Sequence, residues 1–371
     1  MNASRRDWRL VAAGVVVMLL ALVVGGRLQG RNLGADDAGP ARSTRATVGT
    51  DDTPVASGLA VAGRVVLPGP AVAVALGEGA VWVLLEQGTL LRVDPDRHRV
   101  TGSVELGAPG EGGRAGPLAV GAGAVWVGTG QGTVTVRIDP VRLRVTARFG
   151  GFVVAVAHGV LWSICCRRGD TVTGFGRIDA RTLRPRSPLV VKDASGRRQP
   201  VGRFAVGTDA VWMTQAFKEQ RLWRVPLAGG PARAAVGVSG FAYGLAADAG
   251  AVWVLSGTGE PGAGRDRSGR LRRLDRRTGE VTATIPLPDL DVGRVNVAVG
   301  LAVGGGAVWV AGPYARGLHG GGILLRFDPV SGRVAGWFRD PLWFFQDVLA
   351  AGPRGAWVAT AAPELLHVVP A

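Results

Sequence analysis

From residue 59 to the carboxyl terminus the chain is written in short apolar runs, punctuated by glycines and by turns that begin with aspartate. Runs of this length, rich in Val, Ile, Thr and aromatic residues, predict β-strands, because branched side chains suit a packed, pleated surface. One stretch shows the pattern in full: LAVG (Leu118 to Gly121), a Gly turn, AVWVG (Ala124 to Gly128), a loop, TVTVRID (Thr133 to Asp139), a turn, then RVTARFG (Arg144 to Gly150). We name these four strands A, B, C and D. Strand B is apolar on both alternating sides, as in Ala80, Trp82 and Leu84 against Val81 and Val83. A strand of this kind has both faces buried, unlike one in a half-exposed sheet.

The stretch is one copy of a repeat. The Ala-Val-Trp element or a close relative ends at Trp82, Trp126, Trp162, Trp212, Trp253, Trp309 and Trp357, seven copies spaced 36 to 56 residues apart. That spacing is the size of one four-stranded blade of a propeller. Strand C usually ends in Arg, an apolar residue and Asp, as in Arg92-Val93-Asp94, Arg137-Ile138-Asp139, Arg177-Ile178-Asp179, Arg273-Leu274-Asp275 and Arg326-Phe327-Asp328. An Asp at the first position of a type I turn accepts backbone N–H groups, so these acids are structural. The last copy reaches a third strand at Glu364 to Val369 and lacks a fourth, whereas an unassigned strand, Leu59 to Pro68, precedes the first copy. That strand completes the seventh blade and closes the ring, which removes an open sheet junction. The expected fold is all-β: a seven-bladed propeller over residues 58–371, with the seven tryptophans packed in its core.

The Ala-Val-Trp-Val core followed by Arg-apolar-Asp resembles the YVTN and streptogramin-lyase (virginiamycin B lyase-like) propeller superfamily over residues 58–371. The resemblance implies the seven-bladed fold. It also implies that a lyase-type relative would use a His general base beside Mg²⁺-binding acids. This chain departs from that arrangement: of its four histidines only His319 is expected near a binding mouth, and no carboxylate lies within eight residues of it.

The amino terminus differs in kind. Leu10 to Gly26 is an uncharged apolar run of 17 residues, flanked by Arg5, Arg6 and Arg9 before it and Arg27 after it. At about 1.5 Å per residue a helix of this length just spans a hydrocarbon core. No convincing cleavage site follows, so the run reads as an uncleaved signal anchor rather than a removed signal peptide. The resulting organisation is a cytoplasmic tail at 1–9, a transmembrane anchor at 10–26, a flexible stalk at 27–57 and a propeller at 58–371. The chain is then a single-pass plasma-membrane protein displaying its propeller on the extracytoplasmic side.

Charge adds little. The net charge is +15, but 41 of the 43 basic residues are Arg, recurring along the chain without forming a tract, and this argues against nucleic acid as the partner. Cysteine is confined to the neighbours Cys165 and Cys166 at the end of a B strand. They either form a vicinal disulfide, a rigid and rather apolar plate, or remain two partly buried thiols. No cofactor or metal site is expected.

Loop length separates the two faces of the ring. The A–B and C–D turns are short, whereas the B–C and D–A connections, which share one face in a propeller, are long and variable. Binding groups concentrate on such loops. The expected binding face comprises Arg114, Arg197, Arg198, Phe217, Asp289 and Asp291, together with Arg294, Tyr314, Arg316, His319, Trp343 and Phe344. The expected function is a non-catalytic module that binds a protein, peptide or glycan. The alternative is a lyase-like or hydrolytic enzyme in which His319, Asp289 and Asp291 supply a metal-supported acid/base pair.

Overall fold

The computed structural model describes residues 55–107, 117–129, 134–168, 171–215, 221–235, 242–248, 250–257, 268–291, 299–313, 321–340, 344–360 and 362–371. The expected anchor at 10–26 and most of the expected stalk lie outside these residues. Within them no helix is long and apolar enough to cross a membrane.

Seven antiparallel sheets make up the fold, one for each tryptophan repeat. In strand order A to D, blade one is Ala71–Gly77, Ala80–Leu85, Thr89–Asp94 and Arg99–Glu105. Blade two is Leu118–Gly121, Ala124–Thr129, Val134–Asp139 and Arg144–Gly150, and blade three is Val153–Ala157, Val160–Arg168, Thr171–Asp179 and Pro185–Val190. Blades four and five are Phe204–Val206, Ala210–Thr214, Leu222–Pro226 and Arg233–Ala234, then Ala242–Ala247, Ala251–Gly257, Ser268–Asp275 and Val281–Asp291. Blade six is Gly300–Gly304, Ala307–Pro313, Gly322–Phe327 and Val334–Asp340. Blade seven takes Phe344–Gly352, Gly355–Thr360 and Glu364–Pro370 from the carboxyl terminus, and Leu59–Val66 from the other end of the chain as its D strand. The A strands contact one another around the axis, and that of blade seven contacts that of blade one, so the ring is closed.

The closing strand lies where the repeat count requires it. Leu59 pairs with Pro370 and Val66 with Glu364, antiparallel, with a bulge between Val61 and Gly63. Val55–Ser57, the last three residues of the segment read as stalk, add a fifth strand to the outer edge of blade six, Val55 opposite Arg339 and Ser57 opposite Trp337. Gly58, at a φ of +67°, turns the chain from blade six into blade seven, and a Cβ there would meet the Ala335 carbonyl oxygen at 2.9 Å. The amino-terminal segment therefore joins the first blade to the last and also grips the one before it.

Each B strand is the core of its blade. All six residues of Ala80–Leu85 and of Gly355–Thr360 are buried, and the seven repeat tryptophans are at most 2 % exposed. In blades one to three the indole N–H donates to the carbonyl of the residue ending strand A: Gly77 at 3.1 Å, Gly121 at 3.1 Å and Ala157 at 3.4 Å. The arginine of the Arg-apolar-Asp element proves to be the cross-strand neighbour of the tryptophan. Arg92, Arg137, Arg177, Arg273 and Arg326 stand opposite Trp82, Trp126, Trp162, Trp253 and Trp309, and in blade four Arg224, which is followed by Val225 and Pro226, stands opposite Trp212. The guanidinium carbons of Arg137 and Arg326 lie 5.7 and 6.0 Å from the centroids of their partner indoles, within range of cation–π attraction. Six of the arginines are thus used inside the repeat.

The Asp turns behave as expected. Asp139 Oδ1 accepts from the backbone N–H groups of Val141 and Arg142 at 2.9 and 2.8 Å, and Asp94, Asp179, Asp275 and Asp328 repeat the motif. Backbone N–H groups hold Asp139, Asp275 and Asp328 below the ordinary carboxylate range, while for Asp179 the Arg186 guanidinium is the chief cause.

Two outcomes test this architecture. Removing residues 59–66 leaves the last blade without its outer strand and lowers the thermal midpoint sharply; an unchanged melting curve would contradict the closure. Trp212→Ala, at a site 1 % exposed, costs about 3 to 5 kcal/mol in chemical denaturation, as large core truncations do.

Candidate functional site

The two ends of the ring are built differently. At the end bearing the A–B and C–D turns, neighbouring blades are tied together directly. Gly123 N donates to Glu78 Oε1 at 2.9 Å, His158 Nε2 to the Gly207 carbonyl at 2.8 Å and Arg224 Nε to the Arg276 carbonyl at 3.2 Å. Arg354 of blade seven pairs with Asp96 of blade one across the closing seam. The turns of this end hold eight arginines against six acids, and Asp94, Asp139, Asp179 and Asp275, which end the C strands there, offset the difference, so the excess positive charge lies elsewhere.

At the other end, the best-defined element is the connection from blade three to blade four. Lys192 and Arg198 form an isolated antiparallel bridge, which makes the segment a small hairpin. Asp193 braces it from within: its Oδ1 accepts from Ser195 N at 3.0 Å, Ser195 Oγ at 2.6 Å and Arg197 N at 3.0 Å. Its Oδ2 accepts from Gln199 Nε2 at 2.7 Å, and Gln199 in turn accepts from Gln215 Nε2 at 2.7 Å. Gln199 is 7 % exposed, so this polar chain roots the hairpin in the ring. The Lys192 carbonyl also accepts from Ala232 N at 2.6 Å.

This bracing has an electrostatic consequence. The Ser195 hydroxyl first, and the Arg197 and Gln199 donors with it, hold the Asp193 carboxyl below its usual range. Its lone pairs are turned inward to the hairpin. Lys192, Arg197 and Arg198 remain exposed, and the structure shows no ion pair to any of them among the described residues. Three cations on a rigid support, with the nearby acid already satisfied, can receive an anionic group without first releasing an internal partner.

The other expected site residues fall out as follows. Arg197 and Arg198 are brought together on the hairpin, and Lys192, which had no functional assignment from sequence, joins them through the bridge. Asp289 and Asp291 lie in strand D of blade five, which runs on to Asp291 opposite Ser268 rather than ending in a loop at Leu287. Regular pairing reaches Leu287 opposite Gly269, and after a register shift that leaves 288–290 without partners Asp291 pairs with Ser268. Phe344 likewise opens strand A of blade seven, opposite Thr360. Arg114, Phe217, Arg294, Tyr314, Arg316, His319 and Trp343 lie outside the described residues. Among the described residues no group of three or more His, Cys, Asp or Glu could hold a metal ion.

Cys165 and Cys166 are joined to each other in the structure. Cys166 sits at a φ of +67°, and its carbonyl accepts from Thr173 Oγ at 2.6 Å. In the facing strand, a Cβ on Gly174 would meet the Leu189 carbonyl oxygen at 2.8 Å and the Cys166 Cβ at 3.2 Å, while the space beside Gly176 is taken by the Ser163 hydroxyl. The doublet thus faces Gly174, the cross-strand partner of Cys165, a relation that the Cys-Cys dipeptide alone does not reveal.

The fold defines the chain as a seven-bladed β-propeller, and solved structures agree. The propeller domain of Cps50 (Swd1) from Myceliophteria thermophila superposes with a TM-score of 0.59 at 12% identity, covering 84% of this chain and 99% of that one. The hydrazine synthase of Kuenenia stuttgartiensis gives a TM-score of 0.56 at 12% identity, covering 82% of this chain and 96% of that one. Likeness at this identity concerns the fold alone. No family model matches the chain. No curated protein matches it in sequence.

Asp193→Ala should release the hairpin without disturbing the blades. The expected result is faster tryptic cleavage after Arg197 and Arg198 with an unchanged thermal midpoint. Because folding lowers the Asp193 pKa, the bracing is present above the ordinary carboxylate range and lost as pH falls through the lowered value, so wild-type protein also becomes more labile there in strong acid.

Proposed function

We propose that this chain is a non-catalytic binding module, held at the plasma membrane by residues 10–26 and displayed outside the cytoplasm. It engages a protein, peptide or glycan that presents acidic groups on the face of the B–C and D–A connections. The observation that carries this reading is the contrast between the two ends of the ring. One end is tied blade to blade with its charges balanced. The other raises the Lys192–Arg198 hairpin on a buried polar root and leaves its cations unpaired among the described residues. Binding groups mounted on a rigid scaffold in this manner give specificity at little ordering cost.

The anchor and the stalk rest on the sequence of residues 1–54, whose apolar run and flanking arginines support them. The likeness to the YVTN and streptogramin-lyase superfamily rests on the strand B and strand C motifs. The arginine of the second motif has a structural use, opposite the tryptophan of the first, which accounts for their joint recurrence without any enzymatic role.

The test is cross-linking in intact cells with the full chain, comparing wild type with Arg197→Ala/Arg198→Ala. The expected result is a specific adduct that weakens at least tenfold in the double variant and fades as salt rises from 50 to 200 mM, since paired surface charges are screened over about 10 Å. An adduct indifferent to both changes would remove the hairpin from the binding face. Stoichiometric divalent metal in the purified full chain, lost in His319→Ala, would replace this reading with the enzymatic one.

A further inference from the structure

Two departures from the repeat meet at one contact. The first lies at the end of the C–D turn, where the backbone is left-handed. Blades two and three place Leu143 and Leu183 there, at φ of 53° and 57°, and blade one places His98, at 49°. Leu143 lies over Gly102 in strand D of the preceding blade, in the space a Cβ would take. His98 stands in the same relation to Gly63 of the closing strand, where a Cβ would overlap its ring. The second departure is in strand C. Six blades set an arginine opposite the tryptophan, and blade seven sets His367 opposite Trp357.

The two histidines, 269 residues apart in sequence, touch: His98 Nε2 and His367 Nδ1 are 2.9 Å apart. His367 is 5 % exposed and stacks on Trp357, centroids 4.3 Å apart and planes inclined by 3°. His367 Nε2 is 3.0 Å from the Arg354 carbonyl, which can only accept, so this nitrogen carries the hydrogen. Nδ1 of neutral His367 then accepts from His98 Nε2. The bond survives one added proton on the pair. A second proton sets N–H against N–H and places two like charges in contact at a buried seam.

Among the described residues no carboxylate is bonded to either ring. Asp96 and Arg354, from the two sides of the seam, pair with each other, and Arg97 is held by Asp94. On the closing strand Arg64 is paired with Glu364. Burial is the main cause that pushes His367 below the ordinary imidazole range; its bond to the Arg354 carbonyl opposes this, and the His98 and Arg354 charges add to the lowering. A base whose pKa is lowered by folding stabilises the fold above its unfolded value, about 6.5, and that contribution is lost as pH falls below it.

We propose that His98 and His367 form an acid-sensitive latch on the closing seam: at neutral pH they tie blade one to blade seven over Gly63, and double protonation in mild acid frees the Leu59–Val66 strand. The latch sits where opening matters most, since no peptide bond joins Leu59–Val66 to the strand it pairs with. Leucine at this turn position is the solution used by blades two and three, so the repeat itself supplies the control.

The test is hydrogen exchange of the peptide spanning residues 59–66 in the full chain, from pH 7.5 to 5.0, corrected for intrinsic exchange. In wild type, protection is expected to fall by up to about tenfold per pH unit below 6.5 for each proton taken up on opening. His98→Leu is expected to reduce that slope to the part set by the burial of His367, while preserving the fold. An equal slope in His98→Leu would overturn the latch. Should that variant fail to fold, histidine NMR titration of the wild type decides: independent titration of both rings near 6.5 overturns the proposal, and a second protonation displaced well below the first supports it.

Discussion

The structure depends on one antiparallel pairing, Leu59–Val66 against Glu364–Pro370. In every other blade the four strands A to D are consecutive in sequence, so each can form locally by hairpins. The seventh has its outer strand at the far end of the chain, and the ring closes only when more than three hundred residues bring the two ends together. Closure abolishes the free edge that an open stack of blades would present. The stability of the whole ring is therefore coupled to a single noncovalent junction, and the chain reinforces it: Val55–Ser57 extends the grip to blade six, Arg354 pairs with Asp96 across the seam, and His98 lies on His367 over Gly63.

Around that constraint the blades repeat one internal design. In blades one, two, three, five and six a tryptophan in strand B is buried against the next blade, an arginine faces it from strand C, and an aspartate two residues later ends the strand by capping its turn, as at Trp126, Arg137 and Asp139. Blade four keeps the arginine without the aspartate, and blade seven has His367 in the arginine's place. The arginine stems add packing as well as charge, which is how a chain of net charge +15 buries so much of its repeat without a basic tract. The design is released in the connections between blades. The Lys192–Arg198 hairpin belongs to no blade, yet it is rooted by Gln199 and Gln215, and its internal acid is already satisfied.

The sequence by itself determined the number of blades, the order of their strands, the Asp-capped turns and the identity of the closing strand. These follow from interactions within a single repeat, where apolar alternation and turn chemistry act over a few residues, and from counting: a seventh sheet short of one strand needs the one left over at the other end. Arg197 and Arg198 were legible as candidates because a long polar connection between two clear strands can only lie at the surface.

The tertiary structure alone decided what depends on register and on which blades become neighbours. That the arginine of each Arg-apolar-Asp element faces the tryptophan is a matter of cross-strand register, invisible in either motif alone. Strand D of blade five runs to Asp291 because Ser268 of strand C pairs with it beyond an irregularity at 288–290, a register that no local pattern marks. Lys192 joins Arg198 only through a bridge, and Val55–Ser57 finds blade six only because that edge lies beside the point of closure. His98 and His367 are unremarkable as single residues in separate repeats. Ring closure brings them to 2.9 Å, and contacts made by the geometry of a closed ring between distant repeats leave no trace in the short-range pattern from which sequence is read.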